Sequence, residues 1–219
     1  MDAATIPTIR DGLFFTLPDA LPRGRHNLSR DQVRSAQRER VLAAMTELLA
    51  ARGYRGFGPA EIASRAGVSL GAFYDLFEHK DACVFAGYER FSEVLLAQLA
   101  KADISAGDRP GSVAQLLATY FRALAEDKVV ARAYLVEIDG LGSPARERRR
   151  KSLNLFAEYI RRIDADRPDA EELSPKAYLG VVCAIRQMAS DALDTEAEPD
   201  LAAIGADLGP WLADVFRER

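Results

Sequence analysis

Residues Pro59 to Leu76, PAEIASRAGVSLGAFYDL, constrain the fold of this chain more than any other stretch. Two helices can cross closely only where a small residue stands at the crossing, and Ala63 occupies that position. Four residues on, Gly67 supplies a reversal point that accepts positive φ without a Cβ penalty. In the register set by Ala63 and Gly67, the inward positions are Ile62, Ala66, Val68, Phe73 and Leu76, all apolar. This is the pattern of a helix-turn-helix, with Ser69 as N-cap of a second helix that ends near Leu76.

The flanks predict helices on either side. Leu28-Ser29-Arg30-Asp31-Gln32-Val33 combines a Ser-x-x-Gln capping box with an apolar pair that staples the entry, so a helix starts at Ser29. Its apolar stripe (Val33, Val41, Leu42, Met45, Leu48, Leu49) runs to Gly53, suited to a left-handed cap. A second long helix is expected from Lys80 to Lys101, burying Val84, Phe85, Tyr88, Phe91, Val94, Leu95 and Leu99.

With Gly53-Tyr54, EIASRAGVS at 61–69, GAFYDLF at 71–77 and Lys80, the stretch from about Arg38 to Cys83 resembles the TetR family of transcriptional regulators. The resemblance implies a three-helix DNA-binding head, a connecting fourth helix, and an all-helical body that dimerises and often holds a small ligand. It also implies backbone phosphate contacts from Ser69, Tyr74 and Lys80. One departure concerns the position before the motif's first helix, where the family commonly has Thr or Ser and this chain has Gly58-Pro59. Gly at the N-cap and Pro at N1 still start a helix, but the side-chain phosphate contact is absent.

The expected architecture is therefore all-α: an irregular, mobile lead segment over 1–28, a DNA-binding head over 29–80, and a ligand-binding and dimerisation body over 81–219. Ser143-Pro144 and Ser174-Pro175 mark two helix starts in that body. Helices are expected at about 111–126, 128–140, 144–164, 175–193 and 200–217, with a kink at Gly209-Pro210.

Charge is distributed unevenly. The chain carries a net −4, yet residues 23–40 hold six arginines against Asp31 and Glu39, a local +4. The head attracts a phosphate backbone and the acidic body repels it. For base readout the second helix offers little: Leu70 and Ala72 can meet thymine methyls, Asp75 can accept from a cytosine amine, and Gly71 permits close backbone approach. Arg23, Arg25 and Arg30 are expected to add minor-groove or phosphate contacts. The run RERRRK at 146–151 reads as a solvated helix face.

A body pocket lined by Phe91, Phe121, Tyr134, Phe156 and Tyr178, with Tyr120 and Tyr159 nearby and Glu137 or Arg186 as orienting charges, is the expected site of a small apolar effector. Leu179, Val182, Ile185 and Met188 on one helix and Leu208, Trp211 and Leu212 on the last are assigned to a homodimer interface. Cys83 and Cys183 read as buried thiols, and no metal or cofactor site is expected. The chain has no secretory leader pattern and no 18-residue apolar run, which predicts a cytoplasmic protein without a membrane span.

Gly67-Val68-Ser69-Leu70-Gly71 matches the G-x-S-x-G nucleophile elbow by letter. That elbow needs a preceding strand and a later acid and His, whereas here a helix precedes and His79 alone follows, so catalysis is not expected. The reading is a dimeric DNA-binding regulator that acts as a repressor, released from a pseudopalindromic operator by its effector. The alternative is an all-α ligand-binding or interaction module whose head has lost DNA binding.

Overall fold

The computed structural model describes residues 6–18, 28–102, 109–165 and 173–215, and among these all regular structure is helical. Helix α1 (Arg30–Arg52) begins at the expected box: the Ser29 hydroxyl accepts from Gln32 N at 3.2 Å, and Gln32 Oε1 accepts from Ser29 N at 2.8 Å. It ends at Gly53, φ 65°, whose N–H donates to Leu49 O. Every residue from Val41 to Ala50 is buried, so the second half of α1 is the axis of the first of two compact units. A helix buried all round needs cover on every side.

Part of that cover comes from α2 (Pro59–Ala66) and α3 (Leu70–Leu76), the helix-turn-helix. Gly67 sits in the left-handed region at φ 64°, ψ 36°. Val68 N donates to Ala63 O at 3.0 Å and Gly67 N to Ser64 O at 3.1 Å, a Schellman turn that satisfies the last carbonyls of α2. Ile62, Ala63, Ala66 and Phe73 are buried as the register requires, while Val68 and Leu76 are half-buried.

The rest of the cover was not foreseen. The first unit also contains α4 (Lys80–Ala100) as far as Phe91, together with α6 (Lys128–Leu135) and the 3-10 turn Glu137–Leu141, which a boundary at residue 80 would place in the body. Helix 128–140 is thus shorter than expected, breaking at Val136 into the 3-10 turn. Tyr134 of α6 is fully buried, and its hydroxyl lies 2.7 Å from Thr46 Oγ1 of α1. Thr46 gives its proton to Leu42 O, so Tyr134 is the donor. Burial holds the Tyr134 phenol pKa far above its ordinary value.

Residues Ile6–Pro18 complete the unit and correct the expectation of a mobile lead. The stretch is irregular, but Ile9, Phe14 and Phe15 are at most 2% exposed. A tight turn at Gly12, φ 135°, with Gly12 N donating to Phe15 O at 3.0 Å, turns two consecutive phenylalanines inward together. A strand would send the two to opposite faces. Four elements hold this strap. Ile9 N donates to Glu47 of α1 at 3.0 Å, Arg10 N to Asp127 at 2.5 Å, Arg65 of α2 to Pro7 O at 3.4 Å, and Arg90 of α4 to Phe14 O at 2.6 Å. Asp127 is also the N-cap of α6, accepting from Val129 and Val130 N–H groups.

The second unit comprises the remainder of α4 with α5 (Arg109–Glu126), α7 (Ser143–Ala165), α8 (Pro175–Thr195) and α9 (Leu201–Val215). Ser174 caps α8 by accepting from Ala177 N, with Pro175 at N1 as expected. Helix α7 starts one residue earlier than its sequence suggests: Gly142, φ 70°, gives its carbonyl to Arg146 N, and Pro144 falls at the second helical position. Helix α9 is capped by Asp200 and continues through Pro210 to Val215. α7 and α8 are joined by a buried hydrogen bond from the Tyr178 hydroxyl to Asp164 Oδ2 at 2.6 Å. Gly205 of α9 packs on the Phe121 ring, where a Cβ would stand 2.9 Å from Cδ2.

Two of the seven residues assigned to a dimer interface are core instead. Val182 and Leu212 are 8% and 1% exposed within a single chain. Leu179, Ile185 and Leu208 are half-buried, and Met188 and Trp211 stand out at 47% and 44%. An apolar stripe read from sequence does not say whether its partner is the same chain or a second copy. Cys83 is buried as expected, with its thiol pKa pushed well up by burial, but Cys183 is exposed. It lies on the outer face of α8 with Gly180 and Gln187.

Candidate nucleic-acid interface

The reading helix α3 is short and anchored from behind. Phe73 is fully buried, with its ring 5.4 Å from Tyr74 edge-on and 6.0 Å from Phe77. With Phe73 inward, the 3.6-residue repeat turns Leu70, Gly71, Tyr74 and Asp75 to solvent, and all four are exposed; Ala72 is half-buried. Leu70 is 43% and Tyr74 51% exposed. Large apolar and phenolic surface at a helix-turn-helix tip is what a duplex groove covers.

Ser69 is exposed and caps α3, its hydroxyl accepting from Ala72 N at 3.1 Å. The hydroxyl proton remains available to a phosphate oxygen. A Cβ on Gly71 would meet only Ser69 Oγ, at 3.8 Å, so the fold does not require glycine there. Gly67 is different, because its positive φ favours glycine whatever the space around it.

The basic face is smaller than its arginine count. Arg30 and Arg34 are exposed on the first turns of α1. Arg38 lies over the Phe77 ring at 5.4 Å and Arg40 lies against the turn at Gly67. Arg23 and Arg25 fall outside the described residues.

Lys80 departs from a simple phosphate contact. Its ammonium donates to Tyr54 O at 2.8 Å and Phe57 O at 2.9 Å, and sits 3.9 Å from the Tyr54 ring centroid and 4.8 Å from that of Phe57. Partial burial lowers its pKa, opposed by the nearby carboxylates Asp81 and Glu61. Tyr54 in turn donates to Asp81, and its pKa is raised to about 12 by burial and then by that carboxylate. Lys80 thus pins the loop that leads into α2, where Glu61 accepts from Gly58 N at 2.6 Å. It positions the motif rather than extending freely from it.

Sequence reasoning also missed Arg65, which ties α2 to Glu47 at 2.5 Å, and Arg90, which holds Glu39 of α1 at 2.5 and 2.7 Å. Only three-dimensional packing brings these pairs together, since they lie 18 and 51 residues apart.

The expected effector residues are divided between the two units. In the first unit, Phe91 stacks on Phe14 and Tyr134 at 5.3 Å each, and Glu137 pairs with Arg132 at 3.1 Å. In the second, Phe121 and Tyr178 are 1% exposed and packed, Phe156 and Tyr159 are half-buried, and Arg186 is 8% exposed. Phe91, Tyr134, Phe121 and Tyr178 are therefore core, and Glu137 is an ion-pair partner. Among the described residues, no group of three or more His, Cys, Asp or Glu side chains could hold a metal, and no helix is long and apolar enough to cross a membrane.

Residues 41–86 match the family of bacterial regulatory proteins described as tetR. Over those residues, from the second half of α1 through the helix-turn-helix to the start of α4, the chain is similar to that family. No protein of curated function matches the sequence. Among solved structures, the fatty acid degradation regulator FadR from Bacillus halodurans superposes with a TM-score of 0.71 at 20% identity, covering 84% of this chain and 97% of that one. The transcriptional regulator FadR from Bacillus subtilis, in complex with stearoyl-CoA, gives 0.67 at 18%, covering 79% and 96%. A transcriptional regulator from Rhodococcus sp. Rha1 gives 0.65 at 23%, covering 81% and 96%. At these identities the likeness is one of fold.

Tyr74→Ala is expected to weaken duplex binding about tenfold for every sequence, the cost of one charge-assisted hydrogen bond to phosphate, and to leave the melting temperature within about 1 °C. Fluorescence anisotropy with specific and scrambled duplexes, beside a thermal melt, checks both halves. A large fall in melting temperature would show that the ring is structural.

Proposed function

We propose that this protein is a homodimeric, sequence-specific DNA-binding regulator that represses transcription and leaves its operator when a small amphipathic effector binds the body. The observation that carries this reading is the outward face of α3, where Leu70 and Tyr74 are exposed on a helix whose other side is locked by Phe73.

Ser69, Tyr74 and the exposed Arg30 supply phosphate contacts, Leu70, Ala72 and Asp75 face base edges, and Gly71 allows close approach. The exposed Met188 and Trp211 support an isologous contact through α8 and α9, with Leu179, Ile185 and Leu208 at its margins. A dimer of heads reads two half-sites one helical turn apart. The protein acts in the cytoplasm, where its operator is.

For the effector, the B. subtilis structural relative was solved with stearoyl-CoA, which favours a long-chain acyl thioester. Such a ligand shifts the population toward a form with low operator affinity only by its differential affinity for that form. The test is anisotropy of a bound duplex titrated with stearoyl-CoA, stearate and coenzyme A. Release by stearoyl-CoA alone is the expected result; no release by any of the three contradicts the effector assignment.

The arginine arm is tested separately. Replacing Arg23, Arg25 and Arg30 with Ala is expected to flatten the slope of log affinity against log salt by about three. An unchanged slope would remove the arm from the interface.

A further inference from the structure

The face that α3 turns to solvent is poor in hydrogen-bond donors. Leu70 to Leu76 include no Arg, Lys, Asn, Gln, Ser or Thr, and the one side-chain donor among them is the Tyr74 phenol, assigned above to phosphate. Asp75 is the one charged residue, and an ionised carboxylate only accepts. It is exposed and, among the described residues, joined by no hydrogen bond or ion pair. Guanine O6 and N7, adenine N7 and thymine O4 are all acceptors, so they meet no side-chain partner from this helix. The base-edge groups left to it are amines, which Asp75 can accept from, and the thymine C5-methyl group.

Leu70 is placed for that methyl group. It is the largest aliphatic side chain exposed on that face, at 43%, and lies in the half of α3 that enters a major groove. Phe73, fully buried, fixes the helix from behind and with it the direction of Leu70. Beside it stands Gly71, where a Cβ would meet only Ser69 Oγ, at 3.8 Å. Glycine weakens a helix and the fold does not call for one here, whereas a base edge approaching Leu70 gains room from it.

We propose that Leu70 is the specificity-determining residue of this head, packing on a thymine C5-methyl group, and that α3 leaves the purine acceptors of the operator unread. The inference rests on the DNA-binding reading above and adds what that reading leaves open, the chemical group by which the half-site is recognised.

Uracil lacks only the methyl group of thymine, and 5-methylcytosine carries the same group on the other base pair. The test is fluorescence anisotropy of the full chain on the operator obtained by fragment selection, with each thymine of one half-site replaced in turn by deoxyuridine. One position should lose about fourfold in affinity, the worth of one methyl group removed from water. At that position 5-methylcytosine paired with guanine should bind more tightly than cytosine paired with guanine by the same factor. Replacing the purines of the half-site with their 7-deaza analogues, which lack N7, should change affinity by less than about twofold. In Leu70→Ala, whose substituted side chain is exposed and whose melting temperature should match the parent, the deoxyuridine loss should disappear because the methyl group has no partner.

No deoxyuridine-sensitive thymine, or a loss that persists unchanged in Leu70→Ala, overturns the proposal. So does a loss of about tenfold on 7-deazaguanine, which would place a donor on the purine edge. A chain that selects an operator and is indifferent to deoxyuridine refutes this inference alone. A chain that selects no sequence refutes the DNA-binding reading and this inference with it.

Discussion

Phe14→Ala is expected to destabilise the first unit by about 3–4 kcal/mol, although the residue lies outside every helix. The ring is 1% exposed and stacks on Phe91 at 5.3 Å, in the layer that also holds Tyr134. Truncating a fully buried phenylalanine removes its transfer free energy and leaves a cavity that the helical walls fill only partly. At about 2–4 °C per kcal/mol for a chain of this size, the melting temperature falls by roughly 6–15 °C. Thr16→Ala is the control, because Thr16 is exposed two residues on and should change stability by less than about 0.5 kcal/mol. Equal, negligible effects at both positions would mean that the strap does not pack in solution. A further consequence concerns DNA: the strap reaches Arg65 of α2 through Pro7 O, so loosening it also loosens the reading motif.

Gly87→Ala is expected to cost about 2–4 kcal/mol through the opposite fault, overpacking. Helix α4 passes so close to α6 that a Cβ at position 87 overlaps the Tyr134 hydroxyl and comes within 3.0 Å of Met45 Cε. The phenol cannot retreat cheaply, since it is fully buried and hydrogen-bonded to Thr46. Moving it strands a buried hydroxyl, worth about 1–3 kcal/mol. The double variant Gly87→Ala with Tyr134→Phe discriminates the cause. Removing the hydroxyl takes away the worst overlap, leaving the ring Cζ and Met45 Cε at 3.0 Å to give by a few tenths of an ångström, and Thr46 keeps its bond to Leu42 O. The double variant should therefore be more stable than the sum of the single changes predicts, by about 1 kcal/mol or more. Strict additivity in chemical denaturation would contradict the close approach.

How legible all this is from sequence differs by physical cause. Helix ends set by local chemistry are readable: Ser29 with Gln32, Gly53, Gly67 and Ser174 act where their residue types place them. The outward phase of α3 follows from the same logic, because the position of Gly67 fixes which residues point inward. The strap is different, since Phe14 and Phe15 are buried together by a turn at Gly12 and no periodicity announces a turn of that kind. Phe91 and Tyr134 belong to the first unit because α6 folds back on α1, a long-range choice that an apolar residue does not encode by itself. Val182 and Leu212 show the same ambiguity for α8 and α9. Lys80 has the residue type and position of a cation facing a phosphate, but two backbone carbonyls and two aromatic rings hold its ammonium inside the loop.

The central claim is that α3 reads a specific sequence in a dimer. Selection of bound fragments from randomised duplex DNA, with the purified full chain at near-physiological salt, tests it most directly. Enrichment of one pseudopalindrome, with half-sites a helical turn apart, is the predicted result. Recovery of fragments with no shared sequence, or no recovery at all, would contradict it.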